Sequence, residues 1–313
     1  MEYILYGAGK RGRKIENMLF KKNISILGFM DSVQTGTISC EGNREYKIYT
    51  MEECLNLGKD NIGVVITIAD HVEHKKIVDM LEIYKIPIVS VEQVLKTDKD
   101  LIVNNRNFIA EYHEIEMDDY FEEAENKDSL DVFWSEDSEF YKLFQQLDTS
   151  KIVELACGRG RHVDYYIAYA NEVVLVDILE KNIAYCQKRF LGNEKIKHYQ
   201  NNGYDLSKLD SGSYTAVFSY DAMVHFEMMD IFNYLKETER ILVDGGRALF
   251  HHSNNSKDYK VTFSTGVHGR NYMSKGLFAH LAHRAGLQVV SQYTIDWGGV
   301  KKLDCITLLE KKS

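Results

Sequence analysis

The stretch from Val153 to Ile178 constrains this chain more than any other, because its pattern admits few folds. It reads VELACGRGRHVDYYIAYANEVVLVDI: an apolar run, a turn with Gly158 and Gly160, an amphipathic segment, and a second apolar run ending on Asp177. Short apolar runs bounded by turn residues read as strands buried on both faces. Strand, turn, helix and strand in that order make a βαβ unit and predict a parallel sheet. The glycines let the backbone approach a ligand where a Cβ would obstruct it, and a helix opening near Arg161 would aim unpaired N–H groups at the same point. Asp177 falls at the tip of the second strand, where a carboxylate can accept both hydroxyls of a ribose.

The segment Glu-Leu-Ala-Cys-Gly-Arg-Gly followed by Val-Asp-Ile resembles the first two motifs of class I S-adenosylmethionine-dependent methyltransferases, with Ala156 at the first glycine of the family's Gly-x-Gly-x-Gly. That resemblance implies a cofactor, S-adenosyl-L-methionine, held by Glu154, Ala156, Gly158, Gly160, Asp177 and Ile178. The segments downstream follow in the family's order. After a third strand, Ile196 to Gln200, the family places an acid near the adenine ring; Asn202 stands there, followed by Gly203, and an amide can still accept from the adenine amino group and donate to a ring nitrogen. Asn202 as a simple turn residue is the alternative. A fourth strand, Tyr214 to Ser219, leads into SYDAMVHF, which places Tyr220 and Asp221 beside the methionine half of the cofactor. A helix from Met229 to Leu242 should then stop at Gly245-Gly246 before a fifth strand, Arg247 to His251, as in the family. The helix Ser274 to Ala285 and two strands, Leu287 to Ile295 and Asp304 to Leu309, match the family's closing antiparallel hairpin.

Methyl transfer to a hydroxyl benefits from a base. His225, after the fourth strand, is the leading candidate, with a hydrogen-bonded structural histidine as its other reading. His252 at the end of the fifth strand is a second; His251 and His252 alternate across the strand, so only one can face the cleft. His268 and Arg270 are candidates for holding the acceptor, Arg270 through a phosphate or carboxylate. The histidine spacing matches no ligand template, so no metal is expected.

The chain opens on a second unit of similar design. EYILYGAGKRG gives a strand and the turn Gly7-x-Gly9-x-x-Gly12, and a following strand ends on Asp31. Further alternation follows: a glycine-containing loop, a helix Thr50 to Leu57, a strand Ile62 to Ile68, a helix Val72 to Tyr84, and a strand Ile86 to Val91 bearing Pro87, the only proline. This predicts a small parallel sheet. The block resembles the N-terminal Rossmann-like domain of bacterial sugar acyltransferases. In that family the turn can hold a nucleotide-sugar, so Gly7, Gly9, Gly12 and Asp31 are candidates for that role. A scaffold for docking or dimerisation and an NAD site remain open readings.

The expected architecture is therefore α/β, with two doubly wound Rossmann-like domains, the second a seven-stranded sheet with a closing antiparallel hairpin. Residues 1–96 form the first domain, 97–148 an acidic linker with lid helices, and 149–313 the methyltransferase domain. Nine acids between Glu111 and Asp128 face Lys127 alone, a pattern that reads as a solvated helix or linker. Phe133 to Phe144 would either cover the cofactor or pack against the sheet. The formal charge of −9 argues against a nucleic-acid partner, and no apolar run is long enough to span a membrane. Five scattered cysteines read as reduced thiols of a cytoplasmic protein. The function this predicts is methyl transfer to a small acceptor, a hydroxyl of a sugar or nucleotide-linked sugar in surface polysaccharide biosynthesis. An NAD-dependent oxidoreductase and a non-catalytic nucleotide-binding scaffold are the alternatives, and a homodimer is compatible with each.

Overall fold

A computed structural model describes residues 2–58, 61–68, 70–95, 106–113 and 125–312. The chain divides into two compact units, Met1–Asn104 and Asn105–Ser313. The front unit holds five strands: β1 (Glu2–Tyr6), β2 (Gly28–Met30), β3 (Gly36–Cys40), β4 (Arg44–Tyr49) and β5 (Ile62–Ile66). Their order is β3-β4-β2-β1-β5. β1 pairs in parallel with β2 and β5 and carries Ile4 and Leu5 into the core, so the Gly7 to Gly12 turn leaves from an interior strand of the sheet.

The front sheet departs from the all-parallel expectation in two places. The loop expected after Asp31 is instead a hairpin, with β3 antiparallel to β4. The strand expected over Ile86 to Val91 shrinks to a single bridge between Val64 and Ile88. Its sequence explains why: Ser90-Val-Glu-Gln93 is a capping box. Gln93 N–H donates to Ser90 Oγ at 3.1 Å and Ser90 N–H to Gln93 Oε1 at 2.8 Å, which starts a helix at Val91–Leu95.

The rear unit holds β6 (Lys151–Leu155), β7 (Glu172–Asp177), β8 (Ile196–Gln200), β9 (Tyr214–Ser219), β10 (Leu242–Ser253), β11 (Leu287–Trp297) and β12 (Val300–Lys311). They form one sheet in the order β11-β12-β10-β9-β6-β7-β8. β6 to β10 run parallel, β12 is antiparallel to β10, and β11 is antiparallel to β12. This is the class I methyltransferase fold. Val153 on β6 pairs with Val174 on one side and Val217 on the other, so the strand order reverses at β6 and a crevice opens beyond its carboxyl end.

Both faces of that sheet are covered, which is why its parallel strands are apolar throughout. Phe140, Phe144, Tyr166 and Phe218 fill one side; Tyr234, Leu235, Phe250 and Phe278 fill the other. Phe140 and Phe144 of the pre-sheet helices are thus core residues packed on β9, 6.5 and 5.2 Å from Phe218 between ring centroids. Three local expectations change. The segment after Gly160 forms only a short helix, Val163–Tyr166, with a 3₁₀ turn behind it. The helix Met228–Ile241 ends on an extended Leu242, and Gly245 at φ +75° instead makes an irregularity inside β10, between Leu242 and Arg247. Residues 106–113, in the stretch read as acidic linker, are helical. Residues 114–124 of the acidic stretch lie outside the described residues.

Candidate active site

The crevice beyond β6 is an open cleft within the rear unit, with about 1050 Å³ of empty space when the solvent at its mouth is included. Its floor is the turn after β6. Ala156, Gly158 and Gly160 all take positive φ, +55°, +55° and +75°, and Cys157 N–H donates to Val176 O at 3.0 Å, tying the turn to β7. Gly160 lies just outside the lining: a Cβ there would meet the Phe190 ring at 2.7 Å.

Asp177, at the end of β7, is 5% exposed and faces the same cleft. Its Oδ2 accepts from Gly158 N–H at 2.9 Å, and its Oδ1 accepts from Leu179 N–H at 2.8 Å and from Asn182 Nδ2 at 3.1 Å. Burial pushes its carboxyl up to about 6, partly offset by those donors. Glu154, at the end of β6, accepts from the Tyr166 hydroxyl at 2.6 Å; burial pushes it up to about 7. Ile178 and Leu179 add an apolar wall.

Beyond β8 the lining residues are Asn201 and Gly203. Asn202, the expected adenine partner, does not line the cleft. It is exposed, its Oδ1 accepts from the backbone of Tyr204 and Asp205, and its Nδ2 donates to Asp205 Oδ2 at 2.8 Å. It is the turn residue of the alternative reading. Asn201 is buried and holds Tyr234 Oη at 2.8 Å.

At the other end, Tyr220 and Asp221 leave β9 into the cleft. Asp221 sits at φ +57°, its N–H donating to His251 Nδ1 at 3.1 Å. Nδ1 is therefore the acceptor, and Nε2 donates to Asp304 Oδ2 at 3.0 Å. Arg270 clamps the same Asp304 at 2.6 and 3.1 Å. Burial opposes the charge on Asp304, but bonds from His251 and Arg270 outweigh it and hold the carboxyl down at about 2. Arg161 reaches Asp221 at 3.3 Å, and Arg270 lies 3.8 Å from it.

Two expectations change here. His252 points to the opposite face, stacked on Phe278 at 3.7 Å and bonded to Thr307 and the Ser253 carbonyl, so His251 is the strand histidine on the cleft side. Arg270 is a buried partner of Asp304 under Trp297, with its charge already committed. His268 Nε2 donates to Gly298 O at 3.2 Å and, like Arg270, lies outside the cleft lining.

His225 does line the cleft. Its Nδ1–H donates to Gly269 O at 2.9 Å, which leaves Nε2 as the lone-pair nitrogen. Burial, with His113 and Arg270 nearby, pushes its pKa down to about 3. The wall opposite comes from residues 106–113, which sequence reading treated as linker: Ile109, Ala110 and His113 line the cleft, and Arg106 grips the buried Asp230 through two hydrogen bonds. Phe133 packs on Tyr220 at 4.9 Å without lining the cleft. Among the described residues no group of three or more His, Cys, Asp or Glu is placed to hold a metal ion. In the front unit, Gly12 approaches Gly7 so closely that a Cβ would lie 1.9 Å from its carbonyl oxygen. Asp31 accepts from the N–H groups of Ala8, Val33 and Gln34.

The sheet order, the glycine turn and the facing acid are those of the class I methyltransferase fold. Residues 153–250 match the family model described as a methyltransferase domain, and the methyl donor of that class is S-adenosyl-L-methionine. Solved structures similar to this chain include 1,6-didemethyltoxoflavin-N1-methyltransferase from Burkholderia thailandensis, at 16% identity and TM-score 0.48 over 67% of this chain and 88% of that one. An S-adenosylmethionine-dependent methyltransferase from Mesorhizobium loti is similar at 14% identity and TM-score 0.45, over 55% and 97%. No curated protein matches the sequence. The residues present fit the donor. A buried carboxylate beside a glycine turn suits ribose hydroxyls, the Ile178 and Leu179 wall suits an adenine face, and Asp221, held against its burial below the usual carboxylate range by Arg161 and Arg270, supplies negative charge toward a cationic sulfonium. Among the described residues no helix is long and apolar enough to cross a membrane.

Proposed function

We propose that the rear unit transfers a methyl group from S-adenosyl-L-methionine to a hydroxyl of a small acceptor seated between His225 and residues 106–113. The observation that carries this reading is one cleft with Asp177 against the glycine turn at one end and a hydrogen-bond-accepting imidazole at the other. The donor supplies an electrophilic methyl group on a positively charged sulfur. The protein's part is to hold the two reactants in line and keep water out, which contributes on the order of 7–11 kcal/mol in well-aligned systems. His225 Nε2 accepts a hydrogen bond from the acceptor's hydroxyl and so turns an oxygen lone pair toward the methyl group. As the carbon–oxygen bond forms and the carbon–sulfur bond breaks, the oxygen becomes a stronger acid than even this weakly basic imidazole, and its proton passes to Nε2 and from there to solvent. Asp221, fixed by His251 and Arg161, shapes the wall beside the transfer.

The acceptor end is walled by Ile109, Ala110 and Phe226 with the two histidines, an environment that suits a small, compact molecule. A sugar or nucleotide-linked sugar of surface polysaccharide synthesis is the acceptor toward which the front unit's resemblance points. Titration calorimetry with S-adenosyl-L-methionine tests the donor: binding is expected in the native chain and lost in Gly158→Arg, whose side chain would enter the cleft. Unchanged affinity in that variant removes the assignment. Radiolabelled methyl transfer to a panel of free sugars, nucleotide-sugars and non-sugar alcohols then tests the acceptor. Transfer to non-sugar alcohols alone rejects the sugar.

A further inference from the structure

Among the described residues of the cleft wall, the nearly fully buried His162 and Asn182 each keep one polar atom, Nε2 and Oδ1, that makes no hydrogen bond. Each residue is only 2% exposed. Their surroundings decide which is donor and which acceptor. His162 Nδ1 accepts from the Trp134 indole N–H at 3.2 Å, and burial keeps the ring neutral, so its one proton sits on Nε2. Asn182 Nδ2 donates to Asp177 Oδ1, which fixes the amide orientation and leaves Oδ1 as a bare acceptor. A buried polar group without a partner is costly, and in a native fold it calls for an explanation such as a ligand atom that completes it.

The two atoms lie toward opposite ends of the crevice. The His162 ring is 6.1 Å from Phe218 on β9 and 6.0 Å from Tyr220, on the fourth-strand side. Asn182 is on the helix Glu180–Arg189 that follows β7, beside Asp177. We propose that these residues read opposite ends of the methyl donor. His162 Nε2–H donates to the carboxylate of its amino-acid half, and Asn182 Oδ1 accepts from a ribose hydroxyl. The chemistry matches in both directions, because a carboxylate can only accept and a ribose hydroxyl can donate. The proposal rests on the donor assignment above and adds to it which residues set the molecule's direction in the cleft.

Calorimetry with S-adenosyl-L-homocysteine, its 2′-deoxy and 3′-deoxy analogues, and 5′-methylthioadenosine, which lacks the amino-acid half, tests it. Binding of S-adenosyl-L-homocysteine by the native chain tests the donor assignment on its own; without binding, both readings fall. With binding established, His162→Phe should weaken S-adenosyl-L-homocysteine about tenfold and leave 5′-methylthioadenosine unchanged, whereas His162→Gln, which keeps an N–H donor, should recover most of the loss. Asn182→Leu should weaken both ligands about tenfold, and the loss should shrink with whichever deoxy analogue lacks the hydroxyl it reads, leaving only the part due to the lost bond to Asp177. In the native chain the His162 Nε2–H resonance should shift with S-adenosyl-L-homocysteine and stay in place with 5′-methylthioadenosine, a readout that needs no variant to fold. Equal losses for both ligands in His162→Phe, an Nε2–H shift common to both, or an Asn182→Leu loss that is undiminished with both deoxy analogues overturns the proposal while leaving the donor assignment standing.

Discussion

Asp177 is fastened to Gly158: its Oδ2 accepts the glycine N–H at 2.9 Å, so the acid of the second strand and the glycine turn form one rigid edge of the cleft. The front unit repeats the device, with Ala8 N–H donating to Asp31 Oδ2 at 2.8 Å. In both units a carboxylate closes the strand beside the first and takes a backbone N–H from the turn that the first strand feeds. Asp177 therefore has two duties, holding the turn and meeting a ribose. Asp177→Ala removes both and should weaken S-adenosyl-L-methionine binding about a hundredfold; Asp177→Asn keeps an acceptor oxygen and should lose only about tenfold. Calorimetry on the two variants separates these values, and equal affinity in Asp177→Ala and the native chain would remove the ribose role.

Glu154 makes stability depend on pH. Its carboxyl lies at about 7 in the fold against an ordinary 4.5, so the folded chain holds a proton that the unfolded chain gives up across that window. The contribution is fully present below pH 4.5 and is lost as pH rises toward 7, on the order of 3 kcal/mol at most. Glu154→Gln cannot ionise and should flatten this part of the profile, making the variant the more stable protein at pH 8. Urea unfolding at pH 5 and pH 8 measures the difference. A native chain that gains stability between those values, with the gain absent from Glu154→Gln, contradicts a raised carboxyl.

Ala156 adopts φ +55°, a left-handed conformation that costs a residue bearing a Cβ roughly 1–2 kcal/mol. Glycine escapes that strain but gives up roughly 0.5–1 kcal/mol of chain entropy. Ala156→Gly should therefore be neutral to slightly stabilising, by up to about 1.5 kcal/mol. Gly160→Ala should go the other way, because its Cβ would combine φ +75° with a 2.7 Å approach to the Phe190 ring. Chemical denaturation of the pair checks the signs, and a destabilised Ala156→Gly counts against strain at this turn.

The parts of this fold legible in the sequence were those with a periodic or motif signature. The apolar runs of β6, β7 and β9 announced a sheet buried on both faces, and Gly158, Gly160 and Asp177 lie at or beside the cleft in the order in which they are read. What escaped was set by neighbours distant in sequence. Nothing local distinguishes Asn201 from Asn202; the choice depends on Tyr234, whose hydroxyl takes the Asn201 amide. His251 and His252 were separable only once the sheet faces were known. The helix at 106–113 was hidden by the asparagines and acids around it, and its anchor, Asp230, is far along the chain. Asn182 did leave a trace, as an amide on the buried face of a helix beside Ile183 and Cys186.

His225 donates its Nδ1–H to the Gly269 carbonyl, and this bond decides what the residue can do in catalysis. The imidazole presents an unprotonated Nε2 to the cleft, and burial together with His113 and Arg270 keeps its pKa down at about 3. A group of that basicity is neutral throughout the range from pH 5 to 9. It holds and orients a hydroxyl better than it removes its proton, since base catalysis is most effective when the pKa is near the working pH. Two outcomes follow for the native chain with an accepted hydroxyl substrate. The pH profile of kcat should show no limb near 6.5, the ordinary histidine value, and His225→Ala should lower kcat about a hundredfold while S-adenosyl-L-methionine affinity holds. His225→Asn, which can still accept a hydrogen bond, should recover part of the rate. If kcat instead climbs through pH 6.5 and that limb disappears in His225→Ala, the histidine is an ordinary titrating base and the neutral, orienting role is wrong.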